Sequence, residues 1–411
     1  MSQTFTSSRT PQYAPPAPPP GRSAPEAPQH AAPSRWEAVR LLHAARRVAR
    51  TTGKGVARQF VEMAALRFGE GAITPRQYYR YHLYDDARYP WVMKREFVNW
   101  RVSYLGRRVN DSEWRVLAHD KVAFCTFMRG AGLPHPEVRA LFHPGGRHAG
   151  PAPCTTTPGA TTEFLRSTRY PLFGKPVYGQ LGGGAVLLEG YDPVTDLLHL
   201  SAGRTEPVRA FVARIQAEYA PRGAGLGARC GYLFQSVLAP DPDVVTLAGD
   251  RVTTLRLVVL VHDEGPRLFR CLWRLPVRPN VADNFDWGRS GNLLAAVDRE
   301  RGVVTRAVRG WATPDAGSDL RGIGESVTAH PDTGRELVGV RVPGWDRAVS
   351  LALAAARAIP RIRYQSWDIA LCAGGPVAVE LNFNGHLVQP EQARGFHDAE
   401  MRAFLARYGR R

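Results

Sequence analysis

The segment FGKPVYGQLGGGAVLL, residues 173–188, sets one cation, Lys175, ahead of Gly179, Gly182, Gly183 and Gly184, and then an apolar run. Glycines let backbone N–H groups approach an anion closely, and a lysine on the preceding strand can meet the same anion as a point charge. A P-loop has the opposite order, with its lysine after the glycines at a helix start, and no GxGxxG enters a helix here. Taken alone, the segment reads more simply as a strand, a glycine turn and a second strand. A second group of residues has complementary chemistry. Asp368 in SWDIAL and Glu380 in VAVELN stand twelve residues apart across Gly374-Gly375, and Asn382 follows Glu380 by two. An antiparallel hairpin sets the first two side by side, and strand alternation puts Glu380 and Asn382 on one face. Two carboxylates and an amide oxygen are hard donors suited to Mg²⁺, which also holds nucleotide phosphates. Asp and Asn are poor strand formers, and these sit among apolar residues, so their burial calls for a metal or an arginine partner.

Of 54 Lys plus Arg, only Lys54, Lys94, Lys121 and Lys175 are lysines. Where arginine fills almost every cationic position, a retained lysine points to a place that needs a compact ammonium rather than a wide guanidinium fork. Arg256 in RVTTLRLVV and Arg274 in LFRCLWRLP stand on apolar, strand-like runs, where an unpaired cation is disfavoured. Such guanidinium groups stabilise a transferring phosphoryl group or bind a carboxylate.

The elements that must position these residues follow from pattern. Residues 1–33, with PPAPPPG and almost no large aliphatic side chains, have the composition of a disordered, partly polyproline tail. Ser34 caps a helical pattern in WEAVRLLHAARRVAR, GVARQFVEMAALRFG continues as a second helix, and Thr74-Pro75 opens a third, RQYYRYHLY. A helix is expected from Asp120 to Gly130, then a strand in VRALF, a Gly/Pro-rich connection over 144–160 and the hairpin around the glycines. A helix near 206–219 and a strand in GYLFQSVL follow. TTLRLVVLVHDEG and PRLFRCLWRLPV read as a hairpin turning at Asp-Glu-Gly. LLAAVD is a short strand, WDRAVSLALAAARAIP a helix, the Asp368–Glu380 region a strand pair, and DAEMRAFLARYG a closing helix. Strand pairs mixed with helices at no regular period predict an α+β fold with antiparallel sheets.

Bulk composition narrows the function classes. The 411 residues are 44% hydrophobic, and no apolar run reaches the roughly 18 residues of a membrane span. Cys125, Cys154, Cys230, Cys271 and Cys372 are odd in number and form no CxxC pair, as suits reduced thiols in a cytoplasm. The net charge of +17 favours anionic partners, but its spread along the whole chain argues against a nucleic-acid stripe.

Together these features resemble the ATP-grasp superfamily, and within it the sugar-transfer-associated or alpha-L-glutamate-ligase-like group, over roughly residues 75–410. The marks are DKVAFCTFMRGAGLPHP, FGKPVYGQLGGG, LFQSVL, TTLRLVVLV, the DN of VADNFDWG, HPDTGRELVG and WDIAL with VAVELNFNGH. The resemblance implies an ATP-grasp fold, in which two α+β subdomains with antiparallel sheets clasp ATP. The chain would divide into a tail (1–33), a helical region (34–118), a subdomain with a glycine-rich flap (119–235) and a subdomain with the metal site (236–411). It assigns Lys121, Lys175 and Gly179, Gly182, Gly183 and Gly184 to the ATP phosphates, and Asp368, Glu380 and Asn382 to Mg²⁺. Gln235, in place of the usual acid, and the backbone of Ser236-Val237-Leu238 would form the adenine hinge. Arg256 and Arg274 would be catalytic, and Asp283, Asn284 and His330 match family positions on the substrate side, with a loop-shaping role equally open for His330 before Pro331.

The activity so implied is an ADP-forming ligation in a biosynthetic setting, secondary-metabolite or polysaccharide-related. A small-molecule, peptide or sugar-linked carboxylate is activated as an acyl phosphate and joined to an amine. A phosphotransferase using the same ATP site is the alternative, and a non-catalytic polyanion-binding protein is a second.

Overall fold

The computed structural model describes residues 35–99, 106–178, 184–219, 231–312, 324–383 and 394–410. Helices α1 (Arg35–Thr52), α2 (Val56–Phe68), α3 (Pro75–Arg80) and α4 (Trp91–Lys94) come first. Leu41, Ala45, Val48, Met63, Leu66 and Phe97 bury together with Tyr78, Tyr79, Tyr81 and Tyr89 in a core of their own. Thr74 closes a capping box with Gln77, and Pro75 occupies the first helical turn. The expected third helix is shorter than RQYYRYHLY. It ends at Arg80 because His82 takes a left-handed φ of 55°.

The chain continues through α5 (Gly106–Val109), α6 (Val116–His119), α7 (Lys121–Gly130), β1 (Val138–Phe142), β2 (Cys154–Thr155), α8 (Pro158–Ser167), β3 (Leu172–Pro176) and β4 (Val186–Asp192). Then come β5 (Leu197–Leu200), β6 (Arg204–Pro207), α9 (Val208–Tyr219), β7 (Tyr232–Ser236), α10 (Pro242–Ala248), β8 (Thr254–His262), β9 (Gly265–Leu275) and β10 (Leu293–Val297). Last are β11 (Val304–Gly310), β12 (Gly324–Val327), α11 (Trp345–Ala358), β13 (Tyr364–Ala370), β14 (Val377–Asn382) and α12 (Ala399–Tyr408). The connection expected over 144–160 holds β2, parallel to β1, and the start of α8, whose cap is Thr157. Its Gly/Pro content hid both.

Two seven-stranded sheets result, ordered β2-β1-β7-β3-β4-β5-β6 and β12-β11-β10-β9-β8-β13-β14. The β3–β4 and β13–β14 hairpins and the β8–β9 turn at Asp263–Glu264 form as their sequences predict. In the second sheet, Leu255, Leu257, Trp273 and Trp367 share one core with Ala348, Ala352 and Ala355 of α11. Small side chains on α11 let that helix lie close. The opposite face packs Val258, Leu260, Leu272 and Leu294 on Met401 and Phe404 of α12. Val122, Cys125 and Met128 of α7 belong to the same core as Leu141 and Leu233 of the first sheet and Leu381 of the second. The connection after β7 crosses between sheets: Ala373 N–H donates to Ala239 and Asp241 N–H to Leu371. Among the described residues no helix is long and apolar enough to cross a membrane, and Cys125, Cys154, Cys271 and Cys372 are free thiols.

Candidate active site

Three adjacent strands lay a row of charge across the second sheet. Register sets Glu380 opposite Asp368 and Asp368 opposite Arg256, and Asn382 follows opposite Ser366. Arg256 grips Asp368 with two donors, Nε on Oδ1 and, at 3.0 Å, Nη2 on Oδ2. Arg274 adds Nη2 to Oδ2 at 2.9 Å, and Asn382 Nδ2 lies 3.4 Å from the same oxygen. Burial pushes the Asp368 carboxyl up, but the guanidinium groups of Arg256 and Arg274 outweigh it and hold the group below the usual carboxylate range. Glu380 goes the other way: burial raises it and the neighbouring Asp368 raises it further. No hydrogen bond or ion pair reaches the Glu380 carboxylate among the described residues.

Behind the row, Thr254 Oγ1 accepts Arg274 Nε and Nη2 at 3.0 and 2.7 Å and donates to Asp283 Oδ2. Asp283 lies 3.8 Å from Arg274, and burial raises its carboxyl despite that cation. Thr254 is thus the joint that fixes Arg274. As one more threonine in a β-branched run, it carried no sequence signal of this role.

Two lysines approach the row from the other half of the molecule. Lys175 on β3 is 8% exposed, and its ammonium has no hydrogen bond or ion pair among the described residues. Burial first, and then the charge of Lys121, lower its pKa to about 8, against the opposing pull of Glu380. Lys121 opens α7, where Asp120 caps the helix by accepting from Val122 and Ala123 N–H. The same carboxylate accepts from Tyr178 Oη and pairs with Arg147 at 2.6 Å, which ties the end of β3 to the start of α7. Sequence reading took Asp120 only as the helix start and missed Tyr178 and Arg147.

Gly179, Gly182 and Gly183 lie outside the described residues. Gly184 has φ +75°, and a Cβ there would stand 2.0 Å from Tyr219 Oη, so the position admits glycine only. Its carbonyl accepts from Tyr232 Oη at 2.8 Å. Gln235 is buried, its amide 3.5 Å from Cys125 Sγ, and Val237 beyond it is exposed. Asn284 contributes its backbone carbonyl to Asn292. His330 is fully buried: Nε2 bonds Pro276 O at 3.1 Å and Nδ1 accepts from Asp332 N–H at 3.2 Å. Both ring nitrogens bond backbone groups, of Pro276 and Asp332, which favours the loop-shaping alternative left open for His330.

The donor chemistry fits a hard cation. Glu380 offers an unpartnered carboxylate, Asn382 its amide oxygen, and Asp368 Oδ1, with a single donor, keeps a lone pair. Among the described residues no three His, Cys, Asp and Glu side chains cluster as a metal site.

A family model described as sugar-transfer associated ATP-grasp matches residues 101–396, most of the chain and every residue of the row. The chain belongs to this family. Its fold is accordingly the ATP-grasp fold, with two antiparallel-rich sheets. Similar solved structures include an L-amino acid ligase from Bacillus licheniformis, at 11% identity over 64% of this chain and 40% of that one, TM-score 0.33. The ATP-grasp ligase PsnB with its minimal precursor is 16% identical over 70% and 60%, TM-score 0.33. The VanG D-Ala:D-Ser ligase from Enterococcus faecalis is 11% identical over 73% and 64%, TM-score 0.38. The chain thus spans less than two thirds of each. No curated protein matches it.

Proposed function

We propose that the protein is an ADP-forming carboxylate–amine ligase whose ATP lies between Lys121 and Lys175 on one side and the Asp368–Glu380–Asn382 row on the other. One observation carries this reading. Lys175, buried, and Glu380, half-buried, lie more than two hundred residues apart in the chain yet within electrostatic reach of each other, and neither has a hydrogen-bond or ion-pair partner among the described residues. Buried charge is costly when unpaired, so a site built this way is built for a charged ligand.

In the proposed cycle Lys121 and Lys175 hold the phosphate chain as point charges. Glu380, Asn382 and Asp368 would hold Mg²⁺, which on binding would neutralise phosphate charge and align the chain. Arg256 and Arg274, fixed by Asp368 and Thr254, face the charge that develops as a substrate carboxylate takes the γ-phosphoryl group. The acyl phosphate then yields an amide with an amine, releasing phosphate. The substrates are small-molecule, peptide or sugar-linked carboxylates and amines in a biosynthetic reaction.

The test is purified protein with Mg-ATP against a pool of carboxylates and amines, read by mass spectrometry. An amide formed together with ADP supports the ligase. A phosphorylated alcohol with ADP would make it a phosphotransferase, AMP an adenylating enzyme, and no thermal stabilisation by Mg-ATP would remove the nucleotide site.

A further inference from the structure

The helical region supplies no residue to the row of charge, yet one loop joins the two. The core of that region is built from α1, α2, α3 and the chain up to Phe97. Among the described residues, the one apolar side chain from beyond Phe97 that packs against it is Trp287, in the connection between β9 and β10. Arg80, the last residue of α3, lays its guanidinium over the Trp287 ring, 4.8 Å from the centroid. An indole face attracts a cation through its negative quadrupole more strongly than the other aromatic rings do.

Trp287 is held there at a conformational cost. Asp286 and Trp287 take left-handed φ values of 44° and 57°, the only two adjacent non-glycine residues to do so among the described residues. In that region Cβ crowds the following carbonyl oxygen. Such strain persists only where the surroundings over-determine it, and it gathers at functional sites. The surroundings here are firm. Ser290 Oγ donates to Phe285 O at 3.0 Å, and the buried Asn292 donates through Nδ2 to Ala282 O and Asn284 O, both at 2.9 Å. Ala312 N–H donates to Gly288 O at 3.0 Å, and a Cβ on Gly310 would stand 2.4 Å from that oxygen. The loop therefore lies on the end of β11 with no spare room.

The same loop carries Asp283, four residues before Trp287. Asp283 accepts from Thr254 Oγ1 and stands 3.8 Å from Arg274, whose Nε and Nη2 donate to that same hydroxyl. Because the loop is tied to itself and to β11, a shift at Trp287 is passed on to Asp283, and from there to the hydroxyl that holds Arg274. We propose that Arg80 and Trp287 are positioning residues, through which the helical region sets the aim of Arg274; this rests on the reading that Arg274 faces the transferring phosphoryl group. They act through the loop and Asp283 rather than on the substrate.

Steady-state ADP release by the full chain with Mg-ATP, counted per folded molecule, tests this. Arg80→Met is expected to lower kcat about fivefold, with the KM for ATP within about twofold of the parent. Arg80→Lys keeps a cation over the ring and should recover most of that loss, which a mere packing defect would not allow. The double variant Arg80→Met, Thr254→Val reads the route. Once the Thr254 hydroxyl is gone, losing Arg80 should cost less than about twofold more. Parent-level kcat in Arg80→Met would overturn the proposal. Equal losses in Arg80→Met and Arg80→Lys, or two losses that multiply fully in the double variant, would overturn it as well. The parent separates these failures from failure of the ATP reading. A parent that neither releases ADP nor is stabilised by Mg-ATP sinks that reading and the proposal with it, whereas an active parent matched by Arg80→Met sinks the proposal alone.

Discussion

The four lysines of this arginine-rich chain, three of them buried, fall in two clusters that differ in one respect. In the helical region Lys54 Nζ meets Glu62 at 2.6 Å and Asp86 at 2.7 Å, and Lys94 meets Glu62 at 3.0 Å and also Asp86. Tyr78 Oη donates to Glu62 at 2.9 Å. Each charge there has a partner, and the cluster fastens α2, α3 and α4 to the Asp86 loop. At the candidate active site the buried Lys175 and the half-buried Glu380 lie within each other's field, yet neither is hydrogen-bonded among the described residues. The first cluster is complete within the protein and serves its architecture. The second is incomplete among the described residues, as the proposed charged ligand requires. Lysine scarcity alone marked both, and only partner geometry separates them.

Substitutions can break this contrast, and the largest effects belong to the incomplete cluster. Lys175→Met or Glu380→Gln is expected to cut ATP turnover at least about 10³-fold, measured as ADP release, without lowering the thermal midpoint. For Lys175→Met the midpoint should rise at pH 7. A lysine whose pKa falls from its ordinary 10.5 to about 8 on folding binds fewer protons folded than unfolded between those values. Its burial therefore costs most below pH 8, and the cost is relieved as pH rises toward 10.5. The stability advantage of Lys175→Met should shrink over that window, and thermal melts across pH 7 to 10.5 would show it.

The complete cluster predicts the reverse. Glu62→Gln leaves two buried ammonium groups short of a counter-charge and should cost about 3 kcal/mol in urea unfolding, while turnover per folded molecule stays at the parent level. A loss of turnover as large as that of Glu380→Gln would erase the distinction between the clusters.

A smaller effect tests the joint behind the row. Thr254→Val removes the hydroxyl that holds Arg274 and should lower kcat about tenfold with little change in the KM for ATP. Thr254→Ser should restore it, a rescue that loss of packing alone would not show. The smallest effect is expected in acid. Burial raises the Asp86 carboxyl, but Lys54 and Lys94 outweigh it and hold it down to about 2. Its stabilising contribution is therefore present above its ordinary 3.8 and lost as pH falls through about 2. Asp86→Asn should remove this part of an acid titration followed by circular dichroism.

Much of the molecule could be read in one dimension. The Thr74-Pro75 start, the Asp120 cap, the β8–β9 turn at Asp263–Glu264 and the β13–β14 hairpin rest on local rules, capping, alternation and turn chemistry, which act over a few residues. What could not be read is what depends on partners. β2 and the start of α8 looked like loop because Gly and Pro dominate around them, although Thr157 caps a helix there. His330 matched a family position, yet its ring is spent on the backbone of Pro276 and Asp332. Thr254 and Tyr178 carried no mark, because their roles come from neighbours 29 and 58 residues away, Asp283 and Asp120.

The sequence by itself determined which chemistry is available: scarce lysines, glycines ahead of an apolar strand, and Asp368, Glu380 and Asn382 spaced to share one strand pair. Alternation and turn length suffice for that, since both are properties of the local backbone. Only the tertiary structure decided which charges are satisfied. It closed Lys54 and Lys94 onto Glu62 and Asp86, bound Asp368 to two arginines, and left the buried Lys175 and the half-buried Glu380 without hydrogen-bonded partners among the described residues. Charge pairing depends on distance in space, and strands far apart in the chain set that distance.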